Sequence, residues 1–209
     1  MTPEEILAAI AQEVSECQKC PLHLARRKPV PGEGPADAKI MLIGEAPGFH
    51  ENVQGRPFVG AAGEFLDELL QKAGLKRSEI FITNVVKCRP PGNRDPEPQE
   101  LAACEPYLDR QIRAIRPKVI VTLGRFSMAK FIPHAKISQI HGQPIRIRGQ
   151  LIVPMYHPAA ALHQPSLRRT VEADFARLPE IIAQAENIAE TELPTEKKDA
   201  SQPKQLSLF

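Results

Sequence analysis

Residues 39–44 read KIMLIG, and the turn sequence GEAPG begins at the last of them, Gly44, and ends at Gly48. An apolar run of this length, bounded by turn residues, predicts a buried strand. The same pattern recurs in residues 80–86 (IFITNVV), 119–124 (VIVTLG) and 151–157 (LIVPMYH). Strands that are apolar throughout are typical of a parallel sheet that is covered on both faces.

Amphipathic patterns flank and separate these runs. Apolar residues recur at helical spacing in residues 1–14, 63–75, 100–115 and 167–185. Alternating strands and helices predict an α/β protein, a three-layer α/β/α sandwich around a four-stranded, mainly parallel sheet. We expect one domain over residues 1–185 and a disordered tail over residues 186–209, which are polar and acidic.

The composition agrees with one globular domain. The chain has 209 residues, of which 42% are hydrophobic and 25% are charged, and its net charge is only +2. No stretch is apolar enough to predict a membrane span. Because Glu4 and Glu5 stand in the first stretch, it does not resemble a secretion signal. We therefore expect a cytoplasmic monomer, associated with the nucleoid.

Four cysteines indicate a ligand site. Cys17 and Cys20 form a CxxC pair, whereas Cys88 and Cys104 are single. Four thiolates can bind a metal ion or an iron–sulfur cluster. Two disulfides would use the same number, but the CxxC spacing and the absence of a secretion signal disfavour them. Spacing alone leaves Zn²⁺ and a cluster open. Either would tie the proline-rich residues 89–98 and the N-terminal helix to the sheet.

Polar groups follow the carboxyl ends of three predicted strands, where parallel sheets bind their ligands. GEAPG follows the first strand, Asn84 ends the second, and HPAAAL begins at His157 after the fourth. We expect these groups to converge on one site.

Together with the N-terminal CxxC, the motifs GEAPG, GRPFVGAAG, TNVVKCRPPGNRDP and HPAAAL resemble the family 4 uracil-DNA glycosylases. The resemblance extends over about residues 17–183. It implies the three-layer α/β/α fold, a [4Fe–4S] cluster on the four cysteines, and hydrolysis of the bond between uracil and deoxyribose in DNA.

The resemblance assigns roles to individual residues. Uracil-binding residues are expected at Gly44, Glu45, Ala46, Phe58, Asn84 and His157. Phe58 would stack on the flipped base, the Asn84 amide would pair with uracil N3–H and O4, and His157 would donate to O2. Read without the motifs, Phe58 could be a core residue, Asn84 a turn or cap residue and His157 a structural histidine.

The residue that activates water is less well defined, because Ala46 stands where a related branch carries an aspartate. Glu45 is the first candidate, for positioning water or stabilising the cationic sugar, and Glu51 is the second. Glu51 can alternatively crowd the methyl group of thymine or be an exposed loop carboxylate. Leu162 or His163 can fill the gap left by the flipped nucleotide, unless Leu162 caps the core.

Two further features lie outside these motifs. His141 falls near a histidine that becomes bonded to the sugar in another branch, but the basic loop before it is missing, so a surface or polar-contact role is preferred. The C-terminal QLSLF resembles the peptide that binds the bacterial sliding clamp, with Gln205, Leu206, Leu208 and Phe209 as anchors.

The predicted function is a monofunctional uracil-DNA glycosylase that acts on single- or double-stranded DNA and starts base excision repair. A non-catalytic iron–sulfur DNA-binding module is the alternative from another class. A glycosylase of wider scope, acting also on hypoxanthine or xanthine, is the third interpretation.

Overall fold

The computed structural model describes residues 1–190, so the predicted clamp-binding peptide lies outside the described residues. Within this range the strands are β1 (Ile40–Gly44), β2 (Ile80–Asn84), β3 (Val119–Leu123), β4 (Ile145–Ile147) and β5 (Gln150–Met155). They form one sheet in the order β2-β1-β3-β5-β4. All neighbouring pairs are parallel except β4 and β5, which are antiparallel.

The helices connect and cover these strands. They are α1 (Pro3–Glu16), α2 (Leu22–Ala25), α3 (Phe49–Gln54), α4 (Ala61–Lys72), α5 (Pro98–Ile115), α6 (Arg125–Phe131), α7 (Ile137–Ile140), α8 (Pro158–His163), α9 (Arg168–Ala176) and α10 (Leu178–Ala183). Single 3₁₀ turns lie at Arg77–Glu79, Pro91–Asn93, Pro165–Leu167 and Ala185–Asn187. In residues 1–190, none of the helices is both long and apolar enough to span a bilayer.

The sheet has an apolar core on each face, because successive strand residues point to opposite sides. Leu42 and Ile82 face α4, α8, α9 and α10, whereas Met41 and Ile43 face α5 and α6. The predicted three-layer α/β/α sandwich is therefore confirmed.

The sheet differs from the prediction by one additional strand. The edge strand β4 has three half-buried residues, one of which is Arg146. It turns into β5 through Arg148 and Gly149, whose φ angles are 49° and 78°. Two successive positive φ angles are typical of the tight turn of a β-hairpin. A short, half-exposed strand carries too weak an apolar pattern to be predicted from sequence.

Two other boundaries differ in detail. The predicted helix over residues 167–185 is divided into α9 and α10, and Pro179 lies in the first turn of α10. Residues beyond 185 also contact the body of the protein, since Arg146 pairs with Glu190 in an isolated bridge. The contacts therefore extend past the predicted start of the tail.

The N-terminal helix packs on α5. Thr2 and Glu5 form a capping box that fixes the start of α1, and Ile10 and Val14 bury their side chains against Tyr107. This packing brings the CxxC that follows α1 to the same side of the sheet as α5.

Candidate active site

The carboxyl ends of β1 and β2 are joined at the predicted site. Gly44 is in register with Asn84, and the Gly44 carbonyl oxygen accepts a hydrogen bond from Val85 N–H at 3.0 Å. The Glu45 carbonyl oxygen accepts from Val86 N–H at 3.1 Å. These bonds fix the GEAPG turn relative to Asn84.

Gly44 is required because two side chains approach its backbone closely. A Cβ atom built at Gly44 would lie 2.4 Å from Asn84 Oδ1 and 2.8 Å from Phe58 Cζ. Any larger residue would displace both side chains. The structure thus brings together three of the predicted uracil-binding residues, which are far apart in sequence.

The side-chain oxygen of Asn84 is buried but has no hydrogen-bond partner within residues 1–190. Leaving a buried acceptor unpaired costs about 1–3 kcal/mol. Such groups are rare in folded proteins, and each one calls for an explanation such as a catalytic role or a bound water or ion. Asn84 is only 2% exposed, so this oxygen cannot be satisfied by bulk water.

Phe58 is held in a strained backbone conformation next to Asn84. Its φ angle is 51°, which a bulky residue rarely adopts. Glu51 Oε1 accepts hydrogen bonds from Val59 N–H at 2.8 Å and Gly60 N–H at 2.9 Å. Arg77 Nη1 donates to the Phe58 carbonyl oxygen at 3.1 Å. These contacts from both sides maintain the strain, a feature often found at functional sites.

His157 reaches the same place from the end of β5. Its ring lies roughly parallel to that of Phe58, with the centroids 5.5 Å apart and the planes at 26°. Burial lowers the pKa of His157 to about 4, although the Glu51 carboxylate opposes this shift. His157 Nδ1 accepts a hydrogen bond from Ala159 N–H at 3.1 Å. A neutral imidazole that accepts at Nδ1 carries its proton on Nε2.

The remaining residues of the GEAPG turn differ in their surroundings. Burial raises the pKa of Glu45, and the Asp95 carboxylate adds to this effect, whereas Arg125 opposes it. Arg125 and Asp95 form an ion pair. Ala46 packs against the apolar cluster that contains Cys88 and therefore supports the turn. Neither Asp95 nor Arg125 was predicted as a site residue.

The four cysteines line a single cavity, together with Val14, His23, Arg26, Lys87 and Tyr107. None of them forms a disulfide. Arg26 Nη1 donates to Cys88 Sγ at 3.3 Å, and Lys87 N–H donates to Cys104 Sγ at 3.4 Å. Burial raises the pKa of the Cys104 thiol to about 11. In the part of the chain that the structure describes, no three His, Cys, Asp or Glu side chains stand in a ready metal-holding arrangement.

Comparison with known proteins places this geometry in a family. The family model described as "Uracil DNA glycosylase superfamily" matches residues 31–178. The type-4 uracil-DNA glycosylase of Sulfurisphaera tokodaii is 49% identical over 187 residues, 84% of this chain and 84% of that protein. The type-4 enzyme of Thermotoga maritima is 44% identical over 186 residues, 87% of this chain and 97% of that protein. This chain belongs to the type-4 uracil-DNA glycosylases.

The superfamily also includes more distant relatives. The type-5 uracil-DNA glycosylase of Thermus thermophilus is 34% identical over 158 residues, 60% of this chain and 72% of that protein. The residues of the pocket, Gly44, Phe58, Asn84 and His157, all lie within the matched range, whereas Cys17 and Cys20 precede it.

Lys87 connects the pocket of this family member to its cysteines, and sequence reasoning missed it. Although it is a lysine, only 1% of Lys87 is exposed. Its ammonium group donates to the Asn84 carbonyl oxygen at 2.8 Å, Thr83 Oγ1 at 2.6 Å and Gln111 Oε1 at 2.8 Å. Lys87 therefore fixes the backbone of the predicted uracil-reading residue.

Three other residues named in the sequence analysis are Leu162, His163 and His141. Leu162 is 41% exposed on α8, so it does not cap the core, and His163 at the end of that helix is exposed as well. His141 Nδ1 is 2.7 Å from Asp174 Oδ2, and its ring centroid is 4.8 Å from that of Tyr156. The buried Asp174 thus orients His141, a contact that the sequence did not reveal.

Proposed function

We propose that this chain is a monofunctional uracil-DNA glycosylase that flips uracil out of DNA and hydrolyses the N-glycosidic bond. The abasic site that remains would start base excision repair. The observation that carries this proposal is the buried oxygen of Asn84, which lies beside Gly44 and Phe58 and has no hydrogen-bond partner in residues 1–190.

Base selection follows from the Asn84 amide. Its oxygen can accept from uracil N3–H, and its amino group can donate to uracil O4. Cytosine presents an acceptor at N3 and a donor at N4, so the same amide would mismatch both groups. Stacking on Phe58 would contribute the binding energy that offsets extrusion of the base.

His157 is proposed to stabilise the leaving group. When the bond between C1′ and N1 breaks, its electron pair remains on uracil and negative charge develops on O2. The Nε2–H of the neutral imidazole would donate to that oxygen, and removing one such donor typically costs about 10²–10³ in rate. Water then adds to the cationic C1′ and releases its proton.

Glu45 is the proposed group for positioning this water or stabilising the cationic sugar. Its raised pKa brings the carboxylate closer to the basicity that suits proton transfer near neutral pH. Glu51, the second candidate, has one carboxylate oxygen committed to two backbone N–H groups, which supports a positioning role on the Phe58 loop. We expect Glu45→Gln to lower kcat with little change in stability, and Glu51→Gln to lower stability as well.

The four cysteines are proposed to hold a [4Fe–4S] cluster with a structural role. Metal ligands commonly form additional hydrogen bonds with neighbouring groups. Here Arg26 donates to Cys88 Sγ, and the Lys87 backbone N–H donates to Cys104 Sγ. The cluster would cross-link three parts of the fold, namely the segment after α1, the loop after β2 and helix α5. Iron and sulfide analysis of protein purified without oxygen tests this assignment, and a stoichiometric Zn²⁺ content without iron would overturn it.

Two peripheral roles complete the proposal. Leu162, with His163 beside it, would occupy the space that the flipped nucleotide leaves. Gln205, Leu206, Leu208 and Phe209 would bind the bacterial sliding clamp. Clamp binding in a pull-down that survives deletion of residues 205–209 would refute the second role.

The activity is tested on oligonucleotides that contain uracil, thymine, cytosine or hypoxanthine at one position. We expect strand breaks only with uracil and only after alkali treatment, in both single- and double-stranded DNA. Hypoxanthine cleavage would indicate the wider-scope glycosylase. Binding without any abasic product would favour the DNA-binding module, and an SDS-resistant protein–DNA species would implicate His141.

A further inference from the structure

Phe49 is a large apolar side chain that the fold leaves in solvent. It is 53% exposed and belongs to none of the apolar core clusters in residues 1–190. It begins α3 immediately after the GEAPG turn. Its ring is therefore accessible to a partner outside the chain.

Arg89 covers one side of this ring. Its guanidinium carbon lies 5.4 Å from the centroid of the Phe49 ring. Arg89 Nε donates to Asn93 Oδ1 at 2.7 Å, so the side chain is held by its own proline-rich loop. His50 contacts Phe49 edge-on, with ring centroids 5.4 Å apart. The aromatic ring and the cation thus come from the loops that follow two neighbouring strands, β1 and β2.

His50 connects Phe49 to the loop that carries Phe58. A Cβ atom at Gly60 would be 3.2 Å from His50 Cδ2 and 3.5 Å from Glu51 Oε1. Gly60 is two residues beyond Phe58, whose ring closes the pocket over Gly44. His50, which contacts Phe49 edge-on, therefore borders the same loop that holds Phe58.

We propose that Phe49 and Arg89 form a stacking platform for the nucleobase adjacent to the flipped uracil in single-stranded DNA. This inference rests on the proposed function, because it requires a flipped uracil in the pocket. An exposed aromatic face stacks on any base, and a nearby guanidinium adds a cation–π contact and a partner for the flanking phosphate. In a duplex the neighbouring base is already stacked and paired, so the platform favours unpaired DNA.

The test compares Phe49→Ala and Phe49→Tyr with Leu24→Ala, a matched control that also truncates an exposed apolar side chain, which is 79% exposed. Affinity is measured by fluorescence anisotropy on oligonucleotides that carry 2′-fluoro-2′-deoxyuridine, which resists cleavage. We expect Phe49→Ala to weaken binding to single-stranded DNA about tenfold and to duplex DNA less than twofold. Phe49→Tyr and Leu24→Ala should remain within twofold of the unmodified protein.

A second readout locates the contact. With 2-aminopurine next to the uracil analogue, binding should quench its fluorescence in the unmodified protein but not in Phe49→Ala. Equal loss of affinity on both DNA forms, or unchanged quenching, would overturn the platform. If the unmodified protein releases no uracil from cleavable DNA, the proposed function fails; if it does and Phe49→Ala behaves normally, only this inference fails.

Discussion

Replacing Asn84 with leucine separates the stability of this protein from its proposed activity. Asn84 Oδ1 is buried without a partner in the described residues, and a leucine of similar size would remove that unpaired acceptor. An unpaired buried acceptor costs about 1–3 kcal/mol, and the leucine also buries more apolar surface. We therefore expect Asn84→Leu to raise the free energy of unfolding by about 1 kcal/mol, the lower end of that range.

The same substitution should strongly reduce uracil excision. Two hydrogen bonds to uracil would be lost, and the N3–H and O4 groups of a buried uracil would be left unpaired. At about 1–3 kcal/mol for each unpaired group, the loss is about 2–6 kcal/mol in transition-state stabilisation. Since about 1.4 kcal/mol corresponds to a factor of ten, kcat/KM should fall by about 30-fold to about 10⁴-fold.

Thr122→Val is the matched control for this experiment. Thr122 Oγ1 is the other buried side-chain atom without a partner in residues 1–190, and it lies on the sheet face covered by α5 and α6. Urea unfolding and single-turnover excision are measured for both variants. We expect Thr122→Val to be at least as stable as the unmodified protein and to keep its activity within twofold. The assignment of Asn84 to uracil binding would be refuted by an Asn84→Leu variant that is fully active and whose free energy of unfolding is more than 2 kcal/mol below that of the unmodified protein.

Three other substitutions test the remaining parts of the site. Because the folded-state pKa of His157 is about 4, below the unfolded value, its contribution to stability is complete above about pH 6.5 and is lost as the pH falls to 4. Over that pH range, the free energy of unfolding of the unmodified protein should fall by up to about 3 kcal/mol relative to that of His157→Asn, as measured by urea unfolding. A difference between the two proteins that does not change with pH would contradict this expectation. Gly44→Ala should lower kcat/KM about 100-fold and stability by about 1–3 kcal/mol, because its Cβ would displace Asn84 and Phe58; normal kinetics would show that the pocket tolerates the methyl group. Lys87→Met should lower the free energy of unfolding by about 2–3 kcal/mol, since the Asn84 carbonyl oxygen and Thr83 Oγ1 lose the Lys87 donor, whereas Gln111 Oε1 keeps a bond from Thr83 Oγ1 at 3.4 Å; a change below about 0.5 kcal/mol would count against the network.

The central strands could be predicted from sequence because each is a continuous apolar run with turn residues at its ends. β4 could not, because its three residues are half-buried and include Arg146. The division between α9 and α10 was missed since helical periodicity continues through Pro179, which is tolerated in the first turn of a helix.

The convergence of Gly44, Asn84 and His157 was also predictable, because the carboxyl ends of parallel strands meet at one edge. The residues that hold these three in place could not be predicted. A lysine is normally expected at the surface. The burial of Lys87 depends on acceptors that only the tertiary structure brings to its side chain. The same applies to Glu51 and Arg77, whose bonds to the backbone near Phe58 depend on tertiary structure alone.

Release of free uracil is the measurement that tests the central claim most directly. An excess of the protein is incubated with DNA that contains one uracil, and free uracil and alkali-labile sites are quantified together. Uracil and abasic sites should form in equal amounts, with thymine- and cytosine-containing DNA unchanged. If no uracil is released even at excess protein, the pocket around Asn84 does not perform uracil excision.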